Sequence, residues 1–178
     1  RKPDCESSWD ILGRALFASD RWEEAAGLVD RALEANGDDY NVYVPYGNTL
    51  SALGRTEARR ALTERAVTVL EQQVQMVPED TRARMLLAGN YATLGRPNDS
   101  VRELEEVLRL GSTDPHTIYN AACTYGLLQL KKEALSTLKK ALEAGFSESD
   151  IITRDPDLTC LHDEPEFKRL VGQMKPKE

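Results

Sequence analysis

A pattern of small and large apolar residues recurs at intervals of about 34 residues along this chain, the length of one pair of antiparallel helices. Its clearest copy reads Trp9, Leu12, Gly13 and Leu16, then Ala25, Val29 and Ala32. Each group keeps the helical period, and one such pair is too small to bury its apolar face alone. Copies must therefore stack, and the predicted fold is an all-α solenoid of helix pairs. Aromatic residues are 6% and charged residues 30% of the 178, a composition that suits many small amphipathic helices better than one large sheet core.

The first unit, residues 6–39, is expected to pair helices at 7–18 and 22–35 across Ser19-Asp20-Arg21. Small Gly13 and Ala25 are placed where the two helices cross, with Trp9, Leu12, Leu16, Leu28, Val29 and Leu33 filling the space around them. Asn36-Gly37-Asp38-Asp39 ends the unit, Gly and Asn supplying a left-handed stop and an Asp the next cap. The third unit, 81–114, repeats the order with Leu87, Ala88, Tyr91 and Leu94-Gly95, then Leu104, Val107 and Leu108. Pro97 starts its second helix, where a missing amide hydrogen costs nothing. The fourth, 115–148, shows Tyr119, Ala121, Ala122, Tyr125 and Leu128, then Ala134, Leu138, Ala141 and Leu142, and ends at Gly145. Gln129 stands where its turn glycine is expected.

The second unit, 40–80, carries seven extra residues before the slots Ala66, Leu70, Val74 and Pro78. Seven residues add two turns with a drift of only about 20°, so the insertion extends the second helix over 56–76 without turning its buried face outward. Arg59, Arg60, Glu64 and Arg65 would cover the outer end. A longer loop is the alternative, against which Glu57-Ala58-Arg59-Arg60-Ala61-Leu62 supplies strong helix formers. Pro45 makes the first helix of this unit start late or bend.

These slots are those of the tetratricopeptide repeat, and residues 6–148 closely resemble that family. Leu16 stands where a Tyr is common, and Arg59 and Ser100 fill small-residue slots. The resemblance implies a right-handed superhelical solenoid of four units (6–39, 40–80, 81–114 and 115–148) and a role as a protein-binding scaffold. Residues 1–5 read as the tail of a preceding repeat, with Pro3 at its terminal proline, or as an ordinary N-terminal tail. The opening Arg1-Lys2-Pro3-Asp4, without Met or a signal-like apolar run, reads as a piece excised from a longer chain.

Residues 149–178 read as a capping segment. Asp155-Pro156 and Glu164-Pro165 signal helix starts, giving short helices near 156–161 and 164–174. Leu158, Leu161, Phe167 and Leu170 would cover the open end of the last unit, which otherwise faces water. The run from Tyr119-Asn120-Ala121-Ala122-Cys123 through Ala144-Gly145-Phe146 to Pro165-Glu166-Phe167 resembles the end of bacterial tetratricopeptide arrays attached to a kinase, cyclase or winged-helix regulator. That resemblance implies a bacterial source and a signalling context.

A net charge of -7 argues against a nucleic-acid platform, which needs a basic stripe. No stretch approaches the roughly 18 to 20 apolar residues of a membrane span. Cys5, Cys123 and Cys160 form neither an even framework nor a C-x-x-C pair, which favours a reducing, cytoplasmic setting; an extracytoplasmic one follows if the parent has a membrane span. Cys160-x-His162 is an odd metal spacing with no second pair, so no metal and no cofactor are expected.

In the resembled family the first helix of each unit lines a concave groove that takes an extended peptide or a partner helix. Carried over by register, those slots are Ser7, Asp10, Arg14 and Phe17, then Asn41, Val44, Asn48 and Ser51, then Arg82, Met85, Gly89 and Ala92, and last His116, Tyr119, Cys123 and Leu127. The amides, arginines, aromatics and methionine suit backbone hydrogen bonding with apolar anchors. The family's two-carboxylate clamp for chaperone tails needs Lys and Asn, then Asn, then a Lys/Arg pair. Here Asp10 and Arg14, then Pro45, then Arg82 and Leu86 occupy those slots, so tight binding of such tails is not expected. No G-x-S-x-G, H-E-x-x-H or phosphate-cradling glycine loop appears, and the chain reads as no enzyme. A spacer or self-associating domain built on the long helix is the alternative to a partner-binding groove.

Overall fold

The computed structural model describes residues 8–111 and 113–174. The expected tail at 1–5, Cys5 and the groove slot at Ser7 lie outside these. The chain divides between Pro78 and Glu79 into two compact units. The N-terminal unit contains α1 (Ser8–Ala18), α2 (Trp22–Gly27), α3 (Val29–Asn36), a 3-10 turn (Tyr40–Val42), α4 (Tyr43–Ala52) and α5 (Thr56–Met76). The C-terminal unit contains α6 (Thr81–Thr93), α7 (Pro97–Arg109), α8 (Pro115–Leu127), α9 (Lys131–Glu143), α10 (Ser149–Arg154), a 3-10 helix (Pro156–Leu161) and α11 (Pro165–Gly172). Among the described residues there is no strand, and no helix is long and apolar enough to cross a membrane.

One turn geometry joins the two helices of every pair. Asp20, Gly54, Gly95 and Gln129 all adopt left-handed backbone, with φ of 56°, 65°, 71° and 62°. The next amide in each case reaches back across the turn: Arg21 to the Leu16 carbonyl at 2.9 Å, Arg55 to Leu50 at 2.9 Å, Arg96 to Tyr91 at 2.8 Å and Leu130 to Tyr125 at 2.9 Å. These bonds satisfy carbonyls that a helix end leaves open. Gln129 thus holds the turn without the expected glycine, at the steric cost of a Cβ in this region. Gln129→Gly should stabilise the fold by about 0.5–1 kcal/mol, read as a higher midpoint of thermal unfolding.

The first helices start on aspartates. Asp39, Asp80, Asp114 and Asp155 accept the backbone amides of Asn41, Ala83, Thr117 and Asp157 at 2.9, 2.9, 2.7 and 2.9 Å. Each bond satisfies an orphan donor of the following turn. Pro45 is tolerated because α4 starts only at Tyr43, leaving the proline in the first turn, where no intrahelical amide bond is needed.

Several local expectations fail for identifiable reasons. The helix expected over 22–35 is interrupted at Leu28 alone, whose φ of -100° and ψ of -6° still lie in the right-handed region, next to Gly27, a poor helix former. Gly37 ends α3 in right-handed geometry, φ -69°, not as a left-handed stop. The close approach at Gly13 is to α4: a Cβ there would lie 2.9 Å from Pro45 Cγ and 3.2 Å from Tyr46 Cζ. Leu12, expected in the core, is 39% exposed. Arg59 does not cover the outer end of α5 but turns inward against Gly47. Within the capping segment a third short helix, α10, precedes the two expected ones and buries Ile152 completely.

The N-terminal core gathers Trp9, Leu16, Tyr46, Leu50, Leu62 and Leu70, all buried. Tyr46 donates its hydroxyl to the Trp9 carbonyl at 3.2 Å, and the Arg31 guanidinium lies 5.3 Å from the Trp9 ring centre. In the C-terminal core, Leu104, Ala122, Ala134 and Leu138 of the helix pairs join Ile152, Leu158, Leu161 and Phe167 of the closing segment. Arg84 and Glu103, both nearly buried, pair at 2.6 Å between α6 and α7.

Candidate functional site

In the N-terminal unit the groove slots lie on α1 and α4, which pack against each other. Asp10 and Arg14, one turn apart, pair with Arg14 Nε at 3.0 and 3.1 Å from the two carboxylate oxygens. Arg14 remains about half exposed, and such surface pairs are worth roughly 0–1 kcal/mol, so a ligand can compete for either member. Phe17 is half-buried. It stacks on Trp22 with ring centres 6.3 Å apart, and the Trp22 indole N–H donates to the Phe17 carbonyl at 3.2 Å. Asn41 is spent on the 3-10 turn, its side-chain amide donating to Asp39 at 2.9 Å. Asn48 and Ser51, three residues apart on α4, are both exposed.

In the C-terminal unit three of the eight expected slots are closed, while Gly89 and Ala92 are half-buried and Leu127 is exposed. Arg82 and His116 are exposed, but Met85, Tyr119 and Cys123 are buried at 8%, 5% and 6% exposure. Met85 packs into the core. Phe146 stacks on Tyr119, with ring centres 4.1 Å apart and planes 7° from parallel, and His116 meets the same Phe146 edge-on at 5.4 Å. The Tyr119 hydroxyl donates to Asp155 Oδ2 at 2.7 Å and the Cys123 thiol to the same oxygen at 3.3 Å. The sequence pattern opens Tyr119 and Cys123 to a ligand; in the folded chain the closing segment occupies both. Asp155 carried only a helix-start signal in the sequence, since its second oxygen finds partners more than thirty positions away.

This arrangement does not activate the thiol. Burial, then the Asp155 carboxylate, pushes the Cys123 thiol well above its ordinary range, so it stays protonated and non-nucleophilic. Burial, with Asp155 beside it, also raises the Asp157 carboxyl. A raised carboxyl pKa means the folded state resists ionisation there, so this contribution is favourable in acid and is lost as pH rises through the folded value. Asp157→Asn should therefore melt higher than the parent near neutral pH, with the difference closing toward about pH 4. Thermal unfolding across that pH series checks the sign.

Concavities lie among the described residues. One of about 270 Å³ has apolar walls from Val29, Leu33, Leu50 and Leu62, with Asp30, Arg55 and Arg65 as its charged members. This is below the roughly 300–1,000 Å³ of most small-molecule sites. A larger one of about 440 Å³ combines Val101, Tyr125, Leu128 and Leu130 with Glu105, Glu133 and Arg102. Neither pairs a nucleophile with a base. Among the described residues no group of three or more His, Cys, Asp or Glu side chains could hold a metal ion.

Residues 115–144, the α8–α9 pair, match the family model described as Tetratricopeptide repeat. Protein IFIT1 homolog B of Homo sapiens is 27% identical over 141 residues, covering 79% of this chain and 29% of that protein. The antiviral innate immune response effector IFIT1 of Macaca fascicularis is 29% identical over 143 residues, with the same coverage of both. The chain thus spans about 29% of the length of the curated relatives it matches. Among solved structures it is similar to TTC0263, a thermophilic TPR protein of Thermus thermophilus. That likeness has a TM-score of 0.60 and 20% identity, covering 98% of this chain and 93% of the other. At this identity the likeness speaks for the fold alone: all-helical units built from helix pairs like those of tetratricopeptide proteins.

Proposed function

We propose that this stack of tetratricopeptide units is a non-catalytic protein-interaction module that takes an extended peptide or partner helix on the first-helix face of its N-terminal unit. One observation carries the reading. On the first helices of that unit Arg14, Asn48 and Ser51 are exposed polar side chains, whereas Tyr119 and Cys123 of the equivalent row are covered by the chain's own closing segment. Amides and charges that hydrogen-bond a backbone, beside a half-buried aromatic such as Phe17, are what peptide recognition on such faces uses. Arg82 and His116 are secondary contacts in this reading. A regulatory place in a larger bacterial signalling protein is part of the proposal, on the resemblance of the closing segment to the ends of such arrays.

The test is capture of partners on immobilised protein against a variant carrying Arg14→Glu and Asn48→Glu, both exposed and outside the core. A partner held by the parent and lost by the equally stable variant supports the face. Equal capture by both sinks this reading. Self-association through α5, the alternative, instead requires a mass that rises with concentration in light scattering.

A further inference from the structure

The slot filled by Ala25, Ser100 and Ala134 in the other helix pairs is filled by Arg59 on α5. Ala25 and Ala134 are completely buried there, and Ser100 is buried with its hydroxyl donating to the Ala88 carbonyl at 2.7 Å. An arginine fits because the facing residue is Gly47, on which a Cβ would stand 3.2 Å from Arg59 Cζ and Nη1. The side chain runs through the helix crossing toward the end of α4. Its Nε donates to Ser51 Oγ at 3.3 Å, and Nη1 donates to Thr63 Oγ1.

Both partners are neutral hydroxyls. Nearby arginines are matched to carboxylates, Arg55 with Glu23 at 2.5 Å and Arg60 with Glu64 at 3.2 Å, but among the described residues none pairs with Arg59. A guanidinium offers five N–H donors in a planar fork, so most of its capacity is unused. Burial acts against its charge, lowering its pKa from the usual value. A partly desolvated cation held by two hydroxyls gains more from an added anion than a solvated surface arginine does.

We propose that Arg59, with Ser51 and Asn48, forms a binding site for one carboxylate, supplied by an Asp or Glu side chain of a partner peptide lying along α4. The proposal rests on the reading of this face as the peptide-binding one. Arg59 lies on the second helix of its pair, outside the positions of the two-carboxylate clamp. Its fork takes the carboxylate, and the exposed Asn48 amide, one turn before Ser51, is placed for the peptide backbone. A phosphate fits less well, because phosphate recognition draws on clustered arginines and Arg55 and Arg60 are already committed.

Two measurements on the whole chain separate the site from the face. In NMR spectra of the protein with isotope-labelled arginine, acetate is titrated at constant ionic strength as the carboxylate probe. The Arg59 Nε–H signal should shift saturably while that of Arg60 does not; no saturable shift at Arg59 overturns the site. Selection from a random peptide library, on the parent and on Arg59→Met, then identifies the occupant. Asp or Glu should be enriched at one position on the parent, and replacing it by its amide should weaken binding about 10- to 100-fold. Arg59→Lys, which keeps the charge without the fork, should recover only part of that preference. Peptides that bind both proteins equally without an acidic preference keep the face and overturn the carboxylate site. An acetate response without any selected peptide keeps the site and removes the peptide-binding reading.

Discussion

Phe167→Ala should lower the stability of the C-terminal unit by about 3–5 kcal/mol, the usual cost of truncating a buried aromatic ring. Phe167 is 4% exposed and joins Leu158 and Leu161, both fully buried, in the same core as Ala134 and Leu138 of α9. Helix α11 packs on α9 and α10, so the ring links the closing segment to the last helix pair. Its loss leaves a cavity that the short α11, only 8 residues long, cannot fill by itself. Circular dichroism should show a lower unfolding midpoint. Thiol labelling gives an independent reading, because Cys123 is covered by the same segment. If it reacts only when that segment opens, its labelling rate should rise about 100- to 4,000-fold, as each 1.4 kcal/mol is tenfold. An unchanged midpoint and an unchanged Cys123 rate would show that Phe167 does not hold the cap.

Gly126→Ala should loosen the same cap by a different route. A Cβ at Gly126 would lie 2.4 Å from the backbone carbonyl oxygen of Asp157 and 3.3 Å from Leu158 Cδ2. A backbone oxygen cannot swing aside as a side-chain tip can, so the 3-10 helix must retreat from α8. Overpacking typically costs about 1–3 kcal/mol and occasionally more. Retreat would also stretch the Cys160 thiol contact to the Gly126 carbonyl, now 3.4 Å, and the Tyr119 and Cys123 bonds to Asp155. Gly89→Ala is the matched control on α6, where a Cβ meets nothing within 4 Å. There the change should stabilise by about 0.5–1 kcal/mol. Equal melting of the two alanine variants would mean that Gly126 is not required for the close approach.

Together these effects explain why Tyr119 and Cys123 of the last helix pair are covered. Tyr119 and Cys123 sit where a ligand would in a repeat with an unoccupied face, and Asp155 satisfies both. In the N-terminal unit Asn48 is exposed, and Ser51, also exposed, accepts a hydrogen bond from the half-buried Arg59. Binding is therefore expected on that unit, and closure on the other.

Much of the helical framework was legible because its signals are local. The seven-residue insertion preserves helical phase, so α5 spans Thr56–Met76 as the pattern indicates. Asp39 and Asp155 precede their helices and cap them, and the turns at Gly54 and Gly95 carry their glycines. Asp20 and Gln129 show the limit of that rule, since both hold the left-handed turn without one. Gly37 was misread as a left-handed stop because glycine tolerates either hand, and only the surrounding backbone decides which it takes.

The amino-acid sequence by itself determined the repeat, the helix pairs and their caps, because each depends on residues within a turn or two of one another. The tertiary structure decided which faces stay open. Asp155 reaches Tyr119 across 36 positions, Gly13 lets Pro45 and Tyr46 of α4 come close, and Arg59 enters the space that Gly47 leaves. A solenoid repeats its local pattern in every unit, whereas the partner that finally covers a given face is set by packing between units of the pattern that lie far apart in the chain.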